Sequence, residues 1–213
     1  FSYGPGPRGL SRGSDEESGS SGTVIAFSPI SYRRPGVWSW SDAEGFDSYW
    51  RQVERFIERQ LDAGRRLRIF ATSPMDWDLV ERLEATVPAR SSEHVEAFVP
   101  ENFDDAMGAF HSAVEGVELV VASRLHGVLL SHLHGLPVVA ISHDRKVDAH
   151  MRQMGAQDRV MSIDVAEPGR LCTVVDRVLG DRGRIAESTR AAVYRHRERV
   201  KAQYADLAVR YGL

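Results

Sequence analysis

The sequence alternates short apolar runs with longer stretches in which apolar residues recur every three or four positions. That alternation restricts the fold more than any other feature. The runs are TVIAFSPI, RLRIFATS, HVEAFVP, ELVVAS, LPVVAIS and a weaker RVMSIDV. They read as nearly continuous apolar segments, as strands do when a sheet is covered on both faces. After the loop RPGVWSW, the stretch FDSYWRQVERFIERQLDAG puts Phe46, Tyr49, Trp50, Val53, Phe56, Ile57 and Leu61 at helical spacing. Ser41-Asp42-Ala43-Glu44 predicts a capping box at its start, and Gly64 its end. Further helices are predicted over PMDWDLVERLEATV, with Pro74 near the start, and over NFDDAMGAFHSAVEGV, RLHGVLLSHLHG, DRKVDAHMRQMG and EPGRLCTVVDRVLG. A long helix with a polar face closes the chain from Gly183.

Strands separated by helices must run parallel, because each connection crosses over the sheet. The expected fold is therefore α/β: a Rossmann-like three-layer domain with a parallel sheet of about six strands. The 213 residues, 42% of them hydrophobic, suffice for such a core. Residues 1–22, FSYGPGPRGLSRGSDEESGSSG, are rich in Gly, Ser, Pro and charge. Such a segment cannot bury enough apolar surface to offset its ordering entropy. It is expected to be a flexible linker or the remnant of a preceding segment, with Phe1 and Tyr3 free to dock on a missing domain, and 23–213 to be the Rossmann-like domain. A net charge of −3 gives no field that would recruit nucleic acid, so no such partner is expected. The cations are nearly all arginine, Lys146 and Lys201 being the only lysines. The single Cys172 excludes an internal disulfide and suits a reducing compartment. No apolar run reaches the roughly 18 residues that span a bilayer, and no signal-peptide pattern is present. The expected location is the cytoplasm, including the membrane's inner face.

In open parallel sheets, ligands sit beyond the carboxyl ends of the strands. The candidate loops are Ser28–Arg34, Thr72–Met75, Pro100–Phe103, Ser123–Gly127 and Ser142–Lys146. Within SRLHG, Ser123 is placed to cap the following helix, whose free N–H groups and dipole attract an anion. Arg124 adds a bidentate fork, His126 a group that exchanges protons near neutral pH, and Gly127 room for close approach. The alternative is that Arg124 pairs with a buried acid and His126 bonds a backbone carbonyl. His143-Asp144-Arg145-Lys146 reads either as a solvated turn capped by Asp144 or as a second wall of the anion site, with Lys146 reaching inward. His132 and His134, two apart, fall on opposite sides of a helix and cannot share a metal there. His94, His111 and His196 read as surface or packing residues, and His150 as facing either way. No metal-ligand spacing or Walker A motif occurs, and the G-x-G-x-x-G at Gly4–Gly9 and the G-x-S-x-G at Gly9–Gly13 both fall in the Gly/Ser/Pro-rich segment with no strand before them, so neither metal nor cofactor is expected. YGPGPRG lacks the preceding strand that a phosphate loop needs.

Arg124-Leu125-His126-Gly127, Gly135-Leu136-Pro137 and Asp144-Arg145-Lys146, in that order within strand–helix–strand–helix, resemble the C-terminal half of polysaccharide pyruvyl transferases. The resemblance implies a GT-B-type C-terminal half, one of two Rossmann-like domains that face a cleft. It implies transfer of the enolpyruvyl group of phosphoenolpyruvate onto a sugar of a polysaccharide or glycolipid as a ketal, with this chain as the donor-binding half. The implied partners are phosphoenolpyruvate, a sugar acceptor and an N-terminal domain preceding Phe1. The final helix would pack back across the domain junction. Carried onto this sequence, Arg124, Leu125 and His126 contact phosphoenolpyruvate and His126 takes part in proton transfer. Arg33 and Arg34 stand near a further family arginine at the end of the first strand, and His143 replaces the usual aromatic before Asp144. Two rivals remain. One is a GT-B nucleotide-sugar glycosyltransferase, against which stands the lack of an acidic pair to hold a donor ribose. The other is a non-catalytic module that binds a partner through Trp38 and Trp40, which otherwise cover the core or a domain junction.

Overall fold

The structure, a computed structural model, describes residues 22–102, 104–165 and 167–211. The segment expected to be a linker, with Phe1 and Tyr3, lies outside the described residues except for Gly22. Six strands form one sheet: β1 (Val24–Ser28), β2 (Arg66–Phe70), β3 (Val95–Phe98), β4 (Leu119–Ala122), β5 (Val138–Ser142) and β6 (Val160–Ser162). Their order is β3-β2-β1-β4-β5-β6, and every pairing is parallel. The helices are α1 (Ala43–Asp62), α2 (Trp77–Thr86), α3 (Ala106–Val114), α4 (Leu125–Leu133), α5 (Arg145–Gln153), α6 (Pro168–Gly180) and α7 (Arg182–Tyr211). The expected three-layer α/β architecture is present, with each expected strand and helix in its place.

The continuous apolar runs divide between two cores. Ile25, Phe27, Leu119, Val121, Val139 and Ile141 pack on the α1, α2 and α6 side. Ala26, Val120, Ala122, Val138 and Ala140 pack on the α3, α4 and α5 side. Successive strand residues face opposite ways, so a strand with helices on both faces needs apolar residues at every position. From β1 the chain winds outward to β3, then crosses back to place β4 on β1's other side. The loops leaving β1 and β4 therefore diverge and open a crevice at the carboxyl edge, where doubly wound sheets bind ligands.

The start of α1 differs from the expected capping box. The N-cap is Asp42, not Ser41, and its carboxylate accepts from the Gly45 N–H at 3.0 Å. Asp42 also lies 3.6 Å from the Arg33 guanidinium, so the cap ties the helix to the β1 loop. Asp42→Ala is expected to cost about 1 kcal/mol and lower Tm by roughly 2–4 °C, measurable by thermal melts. The buried face of α1 carries Phe46, Tyr49, Trp50, Val53, Phe56 and Ile57, as the spacing predicts, with Gln60 also buried and Leu61 partly buried against the same core. Before α2, Pro74–Asp76 form a 3₁₀ turn instead of its first turn.

Candidate functional site at the switch point

Beyond Ala122 the chain stays extended for two residues. Arg124, with φ −81° and ψ 140°, is the N-cap of α4, and no side chain caps this helix. The expected cap by Ser123 is thus corrected: it precedes the N-cap and is sealed in the interior. Its Oγ has no hydrogen bond of good geometry, though it lies within electrostatic reach of the buried Tyr49 phenol.

The Arg124 guanidinium lies side-on to Asp76: Nε donates to Oδ2 at 2.6 Å and Nη2 to Oδ1 at 3.0 Å. Asp76 is wholly buried, at the end of the 3₁₀ turn, and also accepts from the Ser31 N–H at 2.8 Å. One carboxylate therefore fastens together the loops that follow β1, β2 and β4. This is the buried-acid pairing that competed with anion binding in the sequence. It does not consume the arginine. Of five guanidinium N–H donors two face Asp76, leaving three. The side chain is 17% exposed, and its face lies 5.6 Å from the centre of the Trp38 ring. His126, in the first turn of α4, is exposed. Leu125 is half-buried against the α3, α4 and α5 core.

Gly127 serves a closer neighbour than a ligand. A Cβ there would meet Ala122 Cβ at 3.4 Å and the Ser28 and Thr72 hydroxyls at 3.8 Å. The close approach is that of α4 to the ends of its own sheet. The Ser28, Ser31, Thr72 and Ser123 hydroxyls are all buried without partners among the described residues. All four lie in the loops or strand ends at the carboxyl edge. Unpartnered buried polar groups are rare, so hydroxyls gathered at one edge are candidates for hydrogen bonds to water or a ligand.

Arg33 and Arg34 are engaged elsewhere. Arg33, at φ +60°, pairs with Asp164 at 3.2 Å and with Asp42, while Arg34 pairs with Asp78 at 2.6 Å. Each keeps about a third of its side chain exposed, so both stand at the rim and hold the β1 loop in place. His143 lies inside that rim, its ring 5.9 Å from Tyr32 and 6.0 Å from Trp38. Burial, then the Arg124 charge, lowers its pKa, against partial offset from Asp144, the Ser123 backbone and Asp76. Its Nδ1 is buried without a partner among the described residues. Asp144 caps α5 by accepting from the Lys146 N–H at 2.8 Å. Lys146 itself is exposed and forms no ion pair among the described residues. Trp38 packs on the core and donates its indole N–H to the Ser31 carbonyl, whereas Trp40 is 50% exposed and lies edge-on to Tyr32. Sequence reasoning missed Asp76, Tyr32 and the convergence of the four hydroxyls. Asp76 sits one residue past the Thr72–Met75 loop, where it resembles an ordinary first-turn acid. Among the described residues no three or more His, Cys, Asp or Glu side chains are placed to hold a metal ion.

His132 in α4 and His134 at its C-cap face different neighbours, as their spacing predicts. His132 turns to α5, its Nδ1 2.9 Å from His150 Nε2, and His134 packs 4.8 Å from the His111 ring. Burial first, then His150 and Arg159, holds the His132 pKa down to about 3. The unfolded chain thus binds a proton that the native imidazole refuses. Stability is full above the free imidazole pKa near 6.5 and falls as pH drops below it. The expected loss is roughly 2–3 kcal/mol between pH 6.5 and 4.5, seen as a falling urea midpoint. His132→Gln should flatten that slope.

A family model described as polysaccharide pyruvyl transferase matches residues 24–145, from β1 to the first residue of α5. No curated protein matches. Among solved structures, an O-GlcNAc transferase mutant of Thermobaculum terrenum superposes with a TM-score of 0.50 and 17% identity. The likeness covers 82% of this chain and 32% of that one. It is a likeness of fold, and this chain spans about a third of that protein's length.

Proposed function

The chain belongs to the polysaccharide pyruvyl transferase family, and on that premise we propose that its switch-point crevice holds phosphoenolpyruvate while the enolpyruvyl group passes to a sugar as a ketal. The observation that carries this reading is the Arg124–Asp76 pair: a guanidinium anchored on one edge, with three donors left, beside an exposed imidazole. Asp76 fixes the fork before the ligand arrives, so little side-chain entropy is lost on binding. The uncapped N–H groups of α4 add donors and a favourable dipole for the same anion. Lys146 stands exposed at the start of α5 as a further cation. His143 contributes an imidazole whose lowered pKa keeps it uncharged near neutral pH.

The chemistry balances as follows. The methylene of the enol gains a proton and becomes a methyl group. Two sugar hydroxyls form C–O bonds to the adjacent carbon, the bond from that carbon to the phosphate oxygen breaks, and phosphate leaves. The hydroxyls give up two protons, one matching that gained by the methyl and one leaving with phosphate or solvent. His126 delivers or receives a proton in these steps, the kind of assistance typically worth about 10²–10⁴ in rate. The sugar is held by a domain preceding this chain, and catalysis takes place between the two in the cytoplasm.

The test is a calorimetric titration with phosphoenolpyruvate, with UDP- and GDP-sugars as comparison ligands. Saturable binding of phosphoenolpyruvate, weakened about 10–100-fold in Arg124→Lys because an ammonium cannot fork, supports the proposal. Saturation by a nucleotide sugar, with none by phosphoenolpyruvate, would transfer the crevice to a glycosyl donor.

A further inference from the structure

At the opposite edge of the sheet, just before β6, the chain buries a second cation. Arg159 is 6% exposed. Its only carboxylate neighbour among the described residues is Asp158, 3.8 Å from Nε and beyond hydrogen-bond distance. Its Nη1 is buried with no partner among the described residues. A buried guanidinium left this incomplete is costly unless something else satisfies it. It lines a cavity of about 110 Å³ together with Arg177, Arg184, Ser188, Asp158 and Asp181.

The two carboxylates are already engaged. Arg177 donates to Asp158 Oδ2 at 3.0 Å, and Arg184 to Asp181 Oδ2 at 2.5 Å. Three guanidiniums against two carboxylates leave one net positive charge around the cavity. Arg184 and Ser188 extend from the first two turns of α7, whose free N–H groups favour an anion at the same end. The volume suits a tetrahedral oxyanion and one or two waters, and is too small for a nucleotide.

We propose that this cavity binds a small oxyanion of the phosphate class, anchored by the buried Arg159 and flanked by Arg184 and Ser188. Free phosphate and a phosphomonoester share that chemistry. The site lies across the sheet from the crevice, so its ligand regulates or steadies the fold and takes no part in transfer.

Thermal melts of the chain in inorganic phosphate, in glycerol 3-phosphate and in chloride at matched pH and ionic strength test it. At a hundredfold excess over Kd, phosphate should raise Tm by roughly 5–10 °C beyond chloride. Arg184→Glu, on an exposed side chain, should raise the half-saturating concentration about tenfold or more, and Ser188→Ala should weaken it less. Lys146→Ala, at the distant crevice, should leave it unchanged. Arg159→Met should abolish the response; if that variant does not fold, Arg184→Glu decides. A response to inorganic phosphate alone assigns the free ion, and an equal or stronger one to glycerol 3-phosphate a phosphomonoester. No rise beyond chloride, or a rise whose half-saturating concentration is unchanged in Arg184→Glu, overturns the proposal, and loss of the rise in Lys146→Ala would move the ion to the crevice.

Discussion

Under the proposed pyruvyl transfer, His126→Ala is expected to lower turnover with phosphoenolpyruvate about 10²–10⁴-fold, the range usual for loss of a positioned proton donor or acceptor. The side chain is exposed at the start of α4, so stability should change by less than about 0.5 kcal/mol. The affinity for phosphoenolpyruvate should fall much less than turnover, because Arg124 and the helix start remain. A loss of kcat with little change in KM separates a proton-transfer role from a binding role. Full turnover in His126→Ala would remove the residue from the chemistry.

The second large effect is expected at Asp76. Asp76→Ala leaves the half-sealed Arg124 guanidinium and the Ser31 N–H without their shared acceptor. Removing one partner of a buried pair typically costs about 3–5 kcal/mol. Phosphoenolpyruvate binding should weaken as well, because the fork is no longer fixed. The double variant Asp76→Leu with Arg124→Met distinguishes the two consequences. An apolar pair of similar bulk removes the stranded charge, so much of the stability should return. Binding should not return, since no guanidinium is left to accept the ligand. Urea melts and calorimetric titrations of the single and double variants read both. Recovery of binding together with stability would show that the pair is only a fastening.

The two arginines that follow the first strand end in a different state from the one that follows the fourth. Arg33 and Arg34 look like anion binders in the sequence, yet Asp164, Asp42 and Asp78 engage them at the rim. Arg124, for which a buried acid is the alternative partner in the sequence, is paired too, but on one edge only. Which outcome each reached depended on carboxylates far away in the chain: Asp164 lies 132 residues from Tyr32, whose hydroxyl it accepts, and Asp76 48 residues from Arg124. Local pattern carries no signal for such partners. Ser123 failed as a cap for a smaller reason, since α4 begins one residue later than the motif suggested and leaves its side chain in the extended, inward-facing segment.

What the sequence determined by itself was the order and type of the elements. Period-2 and period-3.6 burial are properties of neighbouring residues, and strands covered on both faces must be apolar at every position. It also determined the edge of the sheet on which a ligand would sit, because crossover connections make the strands parallel and place the loops that follow them on one side, whereas the crevice itself depends on the strand order. Only the tertiary structure decided which charges stay available there. Ion pairing acts across a few ångströms of space between residues that the chain keeps far apart, and folding alone brings Asp76 beneath Arg124 and leaves Arg159 without an equivalent.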